Sequence, residues 1–422
     1  MSATIEKLRF SSHQGAQRIS HQPATTSQAP SRLASIDAAR GAAMMFVCLS
    51  HFANYYPFAA VGAWEVGAYL YAIGMIASPT FVTVSGMMAG FMSVARPRSF
   101  EHFRRKLIDR GVFLLLIGHA VLALTVVLAG KSFAFGYSIE YITDAIALAV
   151  IFGPTLVRRI TQRTRAAIAI LIFAVDWVAV LFWSPSAASA TLAKHYLVGL
   201  LSPDQQGVPF PAFAAVPWFA VYLMGTVIGE KVGEFYRREN RFEGHLILAR
   251  VGLVGFLVGI ATKVGLITVK HQVPGFAQAH PHLMPLLSSY EKYPPGPVYL
   301  CFYAGAGLLL VAGVMEAGRR GVMRFLFDQL SQVGQASLFS FVIQAPLYSV
   351  ILPRLGLDYT HLWPLQFLLS LVVLVIAARL WNSIEGNRFL TVGIGPYLDH
   401  RDAKRQENFR RRVRVDAAFP AA

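Results

Sequence analysis

The sequence predicts an all-α fold, a single bundle of about ten transmembrane helices. Hydrophobic residues make up 55% of the chain and charged residues only 14%, which is far from the composition of soluble globular domains. Ten apolar segments are each long enough to cross a bilayer. In lipid, backbone groups must bond within a helix or a closed barrel, and runs of about 20 residues are the length of a spanning helix.

The ten predicted spans lie between residues 38 and 381. They are 38–57, 68–94, 107–130, 138–157, 166–183, 213–230, 246–268, 296–315, 333–352 and 362–381. Residues 1–31 are rich in Ser, Gln, His, Ala and Thr without an apolar run, which is typical of a disordered cytoplasmic tail. The membrane domain then covers 32–390, and 391–422 form a basic cytoplasmic tail.

Basic residues mark one side of the predicted bundle. Of the 38 Lys and Arg residues, 32 lie on termini and connections of the same side, so the positive-inside rule places both termini in the cytoplasm. The net charge of +16 is therefore an orientation signal. It predicts attraction of the C-terminal tail to the lipid bilayer and no nucleic-acid binding.

The first predicted span carries ionisable side chains, which are costly at membrane depth and often functional. Arg40 and His51 are eleven residues apart, which is roughly 16 Å along a helix and within about 20° around it. Both side chains are therefore expected on one stripe, and Asp37 is the expected ion-pair partner of Arg40. The alternative interpretation is a topology-setting arginine and a histidine that only packs helices.

Three other charged positions are candidate site residues. Arg105 and Arg110 precede the third span and have the guanidinium geometry that suits phosphate, although an ordinary topology-setting loop is the alternative. Asp144, in the outer part of the fourth span, is a candidate for orienting or charging a histidine, unless it is a helix-end carboxylate near water. The two long connections, 184–212 and 269–295, contain histidines but not at the spacing of metal ligands, so no metal is predicted.

Small residues predict close helix crossings. The pairs Gly86/Gly90 and Gly225/Gly229 have the four-residue spacing that lets helix backbones approach in membranes. We assign them to packing and not to chemistry.

Five segments resemble a known family. In chain order they are RLASIDAARG (32–41), SPTFVTVSG (78–86), VPWFAVYLMG (216–225), KYPPGP (292–297) and LSQVGQASL (330–338). They look like the signature segments of the bacterial relatives of heparan-alpha-glucosaminide N-acetyltransferase. The family is similar to the wider group of membrane acyltransferases that acetylate bacterial glycans, whose hallmark is an arginine and a histidine separated by ten residues on the first span.

The resemblance implies an acyltransferase of the bacterial inner membrane. It would take an acyl group from cytoplasmic acetyl-CoA or another acyl-CoA and deliver it to a carbohydrate or other cell-envelope acceptor on the far side. His51 would be catalytic, and Arg40, Arg105 and Arg110 would contact the cofactor. The chain departs from the family pattern at Gln344, where many relatives have a histidine.

Two alternatives from other classes remain at this stage. A transporter or flippase could use the same buried polar stripe as a substrate path, although inverted repeats are not evident in the sequence. The other alternative is a membrane scaffold without catalytic activity. Consumption of acyl-CoA separates the enzyme from both.

Overall fold

Helices account for almost all of the described chain. The computed structural model describes residues 34–139, 141–182, 214–239, 244–280, 283–287, 292, 295–356 and 361–404. Within those ranges there is no β-strand, and one isolated bridge joins Lys292 and Pro295. The all-α prediction is therefore confirmed. The predicted tail 1–31 and the end of the basic tail, 405–422, lie outside the described residues.

The helices of the bundle differ widely in length. In chain order they are α1 (Ala34–Tyr55), α2 (Trp64–Gly74), α3 (Ala77–Ala95), α4 (Phe100–Phe113), α5 (His119–Leu128), α6 (Phe133–Ser138), α7 (Ile142–Arg159), α8 (Gln162–Phe182), α9 (Ala215–Glu239), α10 (Gly244–Gln272), α11 (Pro297–Arg320), α12 (Arg324–Gln335), α13 (Ser337–Pro346), α14 (Trp363–Ser383) and α15 (394–404). The shorter pieces are Phe58–Val61, Pro97–Ser99, Phe276–Ala279, Leu283–Leu287, Leu352–Arg354 and Gly386–Arg388, with π-helical turns at Leu114–Gly118 and Leu347–Ile351.

Helix occurs at all ten predicted spans, but the count of ten crossings is not confirmed. Six helical stretches of the described chain are long and apolar enough to cross a membrane, and a seventh results if the bent pair α12–α13 counts as one span. Helices α1, α8 and α9 are not among the six. Ionisable side chains such as Asp37 and Arg40 in α1 lower the mean hydropathy of such helices.

Helices α3 and α9 pack through the glycines that the sequence singled out. A Cβ at Gly86 would lie 2.1 Å from the Tyr222 carbonyl oxygen, and one at Gly90 would lie 1.9 Å from that of Thr226. From the other helix, a Cβ at Gly229 would lie 2.0 Å from the Met87 carbonyl oxygen. The predicted close crossing is confirmed, and the two glycine pairs face each other.

A second close approach joins α1 to α12. A Cβ at Gly41 would lie 1.8 Å from the Leu330 carbonyl oxygen, and one at Gly334 would lie 1.7 Å from that of Asp37. Side chains at either position would push the backbones apart. Immediately after this contact the chain bends by 83° between α12 and α13, so that α13 takes a new direction beside α1.

The short helix α15 packs on α4 through charged groups. Buried Asp109 on α4 accepts hydrogen bonds from the backbone N–H groups of Val392 and Ile394, each at 3.1 Å, and from the Thr391 hydroxyl. A carboxylate at the start of a helix satisfies N–H groups that have no partner within the helix. The segment that follows α14 is therefore tied to α4.

Candidate active site

Arg40 and His51 both face α13, as expected for one stripe of α1. Arg40 Nη2 donates a hydrogen bond of 2.6 Å to the Ser337 hydroxyl, and His51 Nδ1 lies 2.8 Å from Gln344 Oε1. Ser337 and Gln344 are seven residues apart, which returns a helix to within about 20° of the same face. Two polar stripes on helices that run in the same direction therefore meet side by side.

The bend before α13 creates this pairing. Gly41 and Gly334 hold α1 against α12, and the 83° turn then starts α13 at Ser337. Because α13 begins level with Arg40, its later residues reach the level of His51. The partners are 297 and 293 residues apart in the chain, so they meet only through tertiary structure.

Aromatic side chains border the His51 imidazole. The rings of Tyr55 and Phe341 meet it edge-on, with centroid separations of 6.4 and 6.1 Å. The imidazole itself is half-buried. These apolar edges shield its sides while the polar contact with Gln344 fixes its orientation.

The KYPPGP segment contributes a buried lysine, Lys292, that interacts electrostatically with His51. Its side chain has 8% of its surface exposed. Burial lowers the pKa of the Lys292 ammonium to about 8, because a low-dielectric environment disfavours the charged form. The sequence held one signal for this position: Lys292 is among the six Lys and Arg residues that lie away from the basic side.

The segment that carries Lys292 is fixed to the bundle. Lys292 forms the isolated bridge with Pro295, whose carbonyl oxygen accepts a 3.1 Å hydrogen bond from the indole N–H of buried Trp177 on α8. Pro297 then begins α11. The KYPPGP segment thus holds a cation near His51.

Asp144 contacts a histidine, and that histidine is His119. Asp144 Oδ2 lies 2.9 Å from His119 Nδ1 and accepts the Tyr141 backbone N–H at 2.8 Å. The other ring nitrogen of His119 lies 2.8 Å from the Tyr137 carbonyl oxygen. A catalytic role for Asp144 stays a prediction, and it would act through His119.

The predicted phosphate-binding arginines lie on α4. Arg105 donates to Asp399 at 2.7 Å and also pairs with Asp402, both on α15, and with Glu101. The Arg105 guanidinium holds the pKa of the Asp399 carboxyl below its usual range. Arg110 is half-buried beside Asp109, and phosphate binding by either arginine stays a prediction.

Asp37 is the last of the site residues predicted from the sequence. Asp37 is buried in the first turn of α1, and its ion pair with Arg40 stays a prediction. Among the residues that the structure describes, no three His, Cys, Asp or Glu side chains come together as a metal-holding group.

The fold and this site define a helical membrane protein with a histidine-centred polar stripe. Residues 32–262, more than half of the chain, match the family described as heparan-alpha-glucosaminide N-acetyltransferase, catalytic. The chain belongs to this family, whose members are membrane acetyltransferases that use acetyl-CoA. No curated protein and no solved structure gives a significant match.

The family match covers part of the site. It includes Arg40, His51, Arg105, Arg110 and Asp144 and ends before the partners of His51. Lys292 and Gln344 both lie beyond residue 262. The complete site therefore joins a matched part and a later part of the chain.

Proposed function

We propose that this protein moves an acetyl group from acyl-CoA in the cytoplasm to a carbohydrate or other cell-envelope acceptor outside a bacterial inner membrane. The observation that carries the proposal is the His51 imidazole, held by Gln344 at one end of a polar stripe whose other end is Arg40. Membership of an acetyl-CoA-dependent family supports it.

His51 supplies the proton chemistry in this proposal. Histidine is the side chain that most often serves as a general base, and a neutral imidazole has one nitrogen that can accept a proton. The acceptor nitrogen or oxygen attacks the thioester carbonyl carbon while its proton passes to His51. The carbon–sulfur bond then breaks, and the CoA thiolate leaves with the proton from the imidazolium. An acyl-histidine relay, in which His51 carries the acetyl group transiently, is the alternative route.

Lys292 would stabilise the charge that develops during this step. Attack on the thioester places negative charge on the carbonyl oxygen, and a preorganised cation in a buried site is effective there. Lys292 is buried and near His51. Its ammonium is the charged group that we assign to the oxyanion.

Arg40, Arg105 and Arg110 would bind the remote end of acyl-CoA. Arg40 lies roughly 16 Å from His51 along α1, too far for a role at the reacting carbonyl. Arginine forks suit the cofactor's phosphates. On this assignment the donor enters from the side where most basic residues lie.

A transporter is the second candidate, because one observation favours it. The 83° break between α12 and α13 is the kind of interrupted helix that lines substrate sites in transporters. The same break, however, brings Ser337 to Arg40 and Gln344 to His51, which is what the enzyme requires.

Release of CoA by the purified protein distinguishes the two functions. With acetyl-CoA and glucosamine as the probe acceptor, we expect thiol release together with acetylated glucosamine. A transporter would leave the thioester intact. Stoichiometric recovery of acetyl-CoA after prolonged incubation with folded protein and a range of sugar acceptors would contradict the proposal.

The direction of transfer has its own test. In a background with Cys48 and Cys301 replaced by serine, cysteines placed in 184–212 or 269–295 should react with a membrane-impermeant thiol reagent outside intact cells. A cysteine placed in 96–106 should react only after lysis, because the basic side is cytoplasmic. The reverse pattern would overturn the orientation and the proposed direction of transfer.

A further inference from the structure

We propose that Gln344 is a positioning residue that fixes which nitrogen of His51 acts as the base; this rests on the proposed acyl transfer. Gln344 is fully buried. Its Nε2 donates a 3.1 Å hydrogen bond to the Phe341 carbonyl oxygen, and its Oε1 lies 2.8 Å from His51 Nδ1. A carbonyl only accepts hydrogen bonds, so the amide nitrogen belongs at Phe341 and the amide oxygen faces His51.

The orientation of the amide determines the tautomer of the imidazole. An amide oxygen has no proton to give, so Nδ1 of His51 must carry the hydrogen that lies between them. In the neutral ring the lone pair is then on Nε2. That nitrogen accepts the acceptor's proton and later returns it to the CoA sulfur, while Nδ1–H remains bonded to Gln344 throughout.

Gln344 is a neutral partner for His51, and this affects the charge of the imidazole differently from a carboxylate. Gln344 orients the imidazole without adding negative charge beside it. A carboxylate at position 344 would instead favour the imidazolium, the form of His51 that has no lone pair to accept a proton.

The helix break is the structural reason for this arrangement. Gln344 lies on the same face of α13 as Ser337, which accepts from Arg40. The contact between α1 and α12 at Gly41 and Gly334 precedes the bend. Both partners of the α1 stripe are thus placed by one backbone feature.

The experiment compares three glutamine variants of the full-length protein in detergent. Gln344→Met keeps side-chain length but removes the acceptor, whereas Gln344→Glu keeps an acceptor oxygen. Gln366→Met is the matched control, because Gln366 is also a buried glutamine but lies on α14. For each variant we would measure kcat against pH for acetyl transfer, and separately the pH dependence of His51 modification by diethyl pyrocarbonate, read by mass spectrometry.

The expected results separate positioning from packing. Gln344→Met should lower kcat by about 10- to 100-fold, the range found when the partner that orients an imidazole is removed. Gln344→Glu should keep far more activity, with its acid limb and its His51 modification midpoint moved up by about one pH unit. Gln366→Met should match the parent in both measurements.

Two results would overturn the proposal. One is a Met variant with parental kcat and pH profile. Another is a Glu variant as slow as the Met variant with an unmoved modification midpoint. If Gln344→Met does not fold, the Glu variant decides alone by its midpoint. The modification assay does not depend on acyl transfer, so a shifted midpoint in a protein that never releases CoA would sink the proposed function and leave the positioning of His51 intact.

Discussion

Two histidines in this bundle have opposite surroundings. His51 has an amide oxygen at one ring nitrogen, whereas His119 has the Asp144 carboxylate at one nitrogen and the Tyr137 carbonyl oxygen at the other. Both partners of His119 are acceptors, so an imidazolium that pairs with Asp144 would satisfy both contacts. We therefore expect His119 to be a structural imidazole, whereas the neutral amide beside His51 suits the catalytic role that we propose for it.

After His51 itself, Lys292 should give the largest effect of substitution on the chemical side of the comparison. Because burial lowers the Lys292 pKa to about 8, the ammonium is present below that pH and is lost as pH rises through it. We expect kcat to fall on an alkaline limb near pH 8. Lys292→Met should reduce kcat by about 100-fold at neutral pH, comparable to the loss of one oxyanion donor.

Lys292→Arg is the control for the alkaline fall of kcat. A guanidinium stays protonated throughout the range, so the alkaline limb should disappear even if kcat is lower overall. Retention of the parental limb in the arginine variant would show that Lys292 is not the titrating group.

Asp144→Asn should act on stability and not on chemistry. The variant removes the charge partner of His119, and the side chains of Asp144 and His119 are only 8% and 15% exposed. Breaking such a buried pair costs about 3 kcal/mol, which should lower the thermal unfolding midpoint in detergent. An Asp144→Asn protein that unfolds like the parent but has lost acetyl transfer would support the catalytic role predicted from the sequence.

Arg40→Ala should weaken acyl-CoA binding. Since Arg40 lies far from the reacting carbonyl, we expect KM for acetyl-CoA to rise by about 10-fold with a smaller change in kcat. Ser337→Ala removes only a neutral hydrogen-bond partner and should have a milder effect of the same kind. A larger effect from Asp37→Ala than from Arg40→Ala would indicate that their predicted pair is structural.

The smallest expected effect concerns α15. Asp399 and Asp402 bind Arg105, so these carboxylates compete with any phosphate at this arginine. The double variant Asp399→Asn with Asp402→Asn should lower KM for acetyl-CoA by about 2- to 5-fold. Glu316→Gln is a control, because Glu316 pairs with Arg319 and Arg320 away from α4. An unchanged KM would argue against phosphate binding by Arg105.

The sequence predicted features that depend on local pattern. Apolar runs located the helices, four-residue glycine spacing indicated close helix crossings, and helical periodicity placed Arg40 and His51 on one stripe. The features that could not be predicted from the sequence depend on contacts between residues far apart in the chain. Gln344 was noted only as a departure from the family pattern, and neither the bend after Gln335 nor the position of Lys292 beside His51 has a signal in periodicity. Asp144 was expected near a histidine, but which one depends on how α5 and α7 pack.

The most direct test replaces each histidine by alanine and compares the two proteins. We predict that His51→Ala loses acetyl transfer by about 100- to 10,000-fold, the usual contribution of a general base, while its unfolding midpoint stays near that of the parent. His119→Ala should show the opposite pattern, a lower unfolding midpoint with kcat within a few-fold of the parent at a temperature where it is folded. A folded His51→Ala protein that releases CoA and acetylates the acceptor at the parental rate would contradict the account.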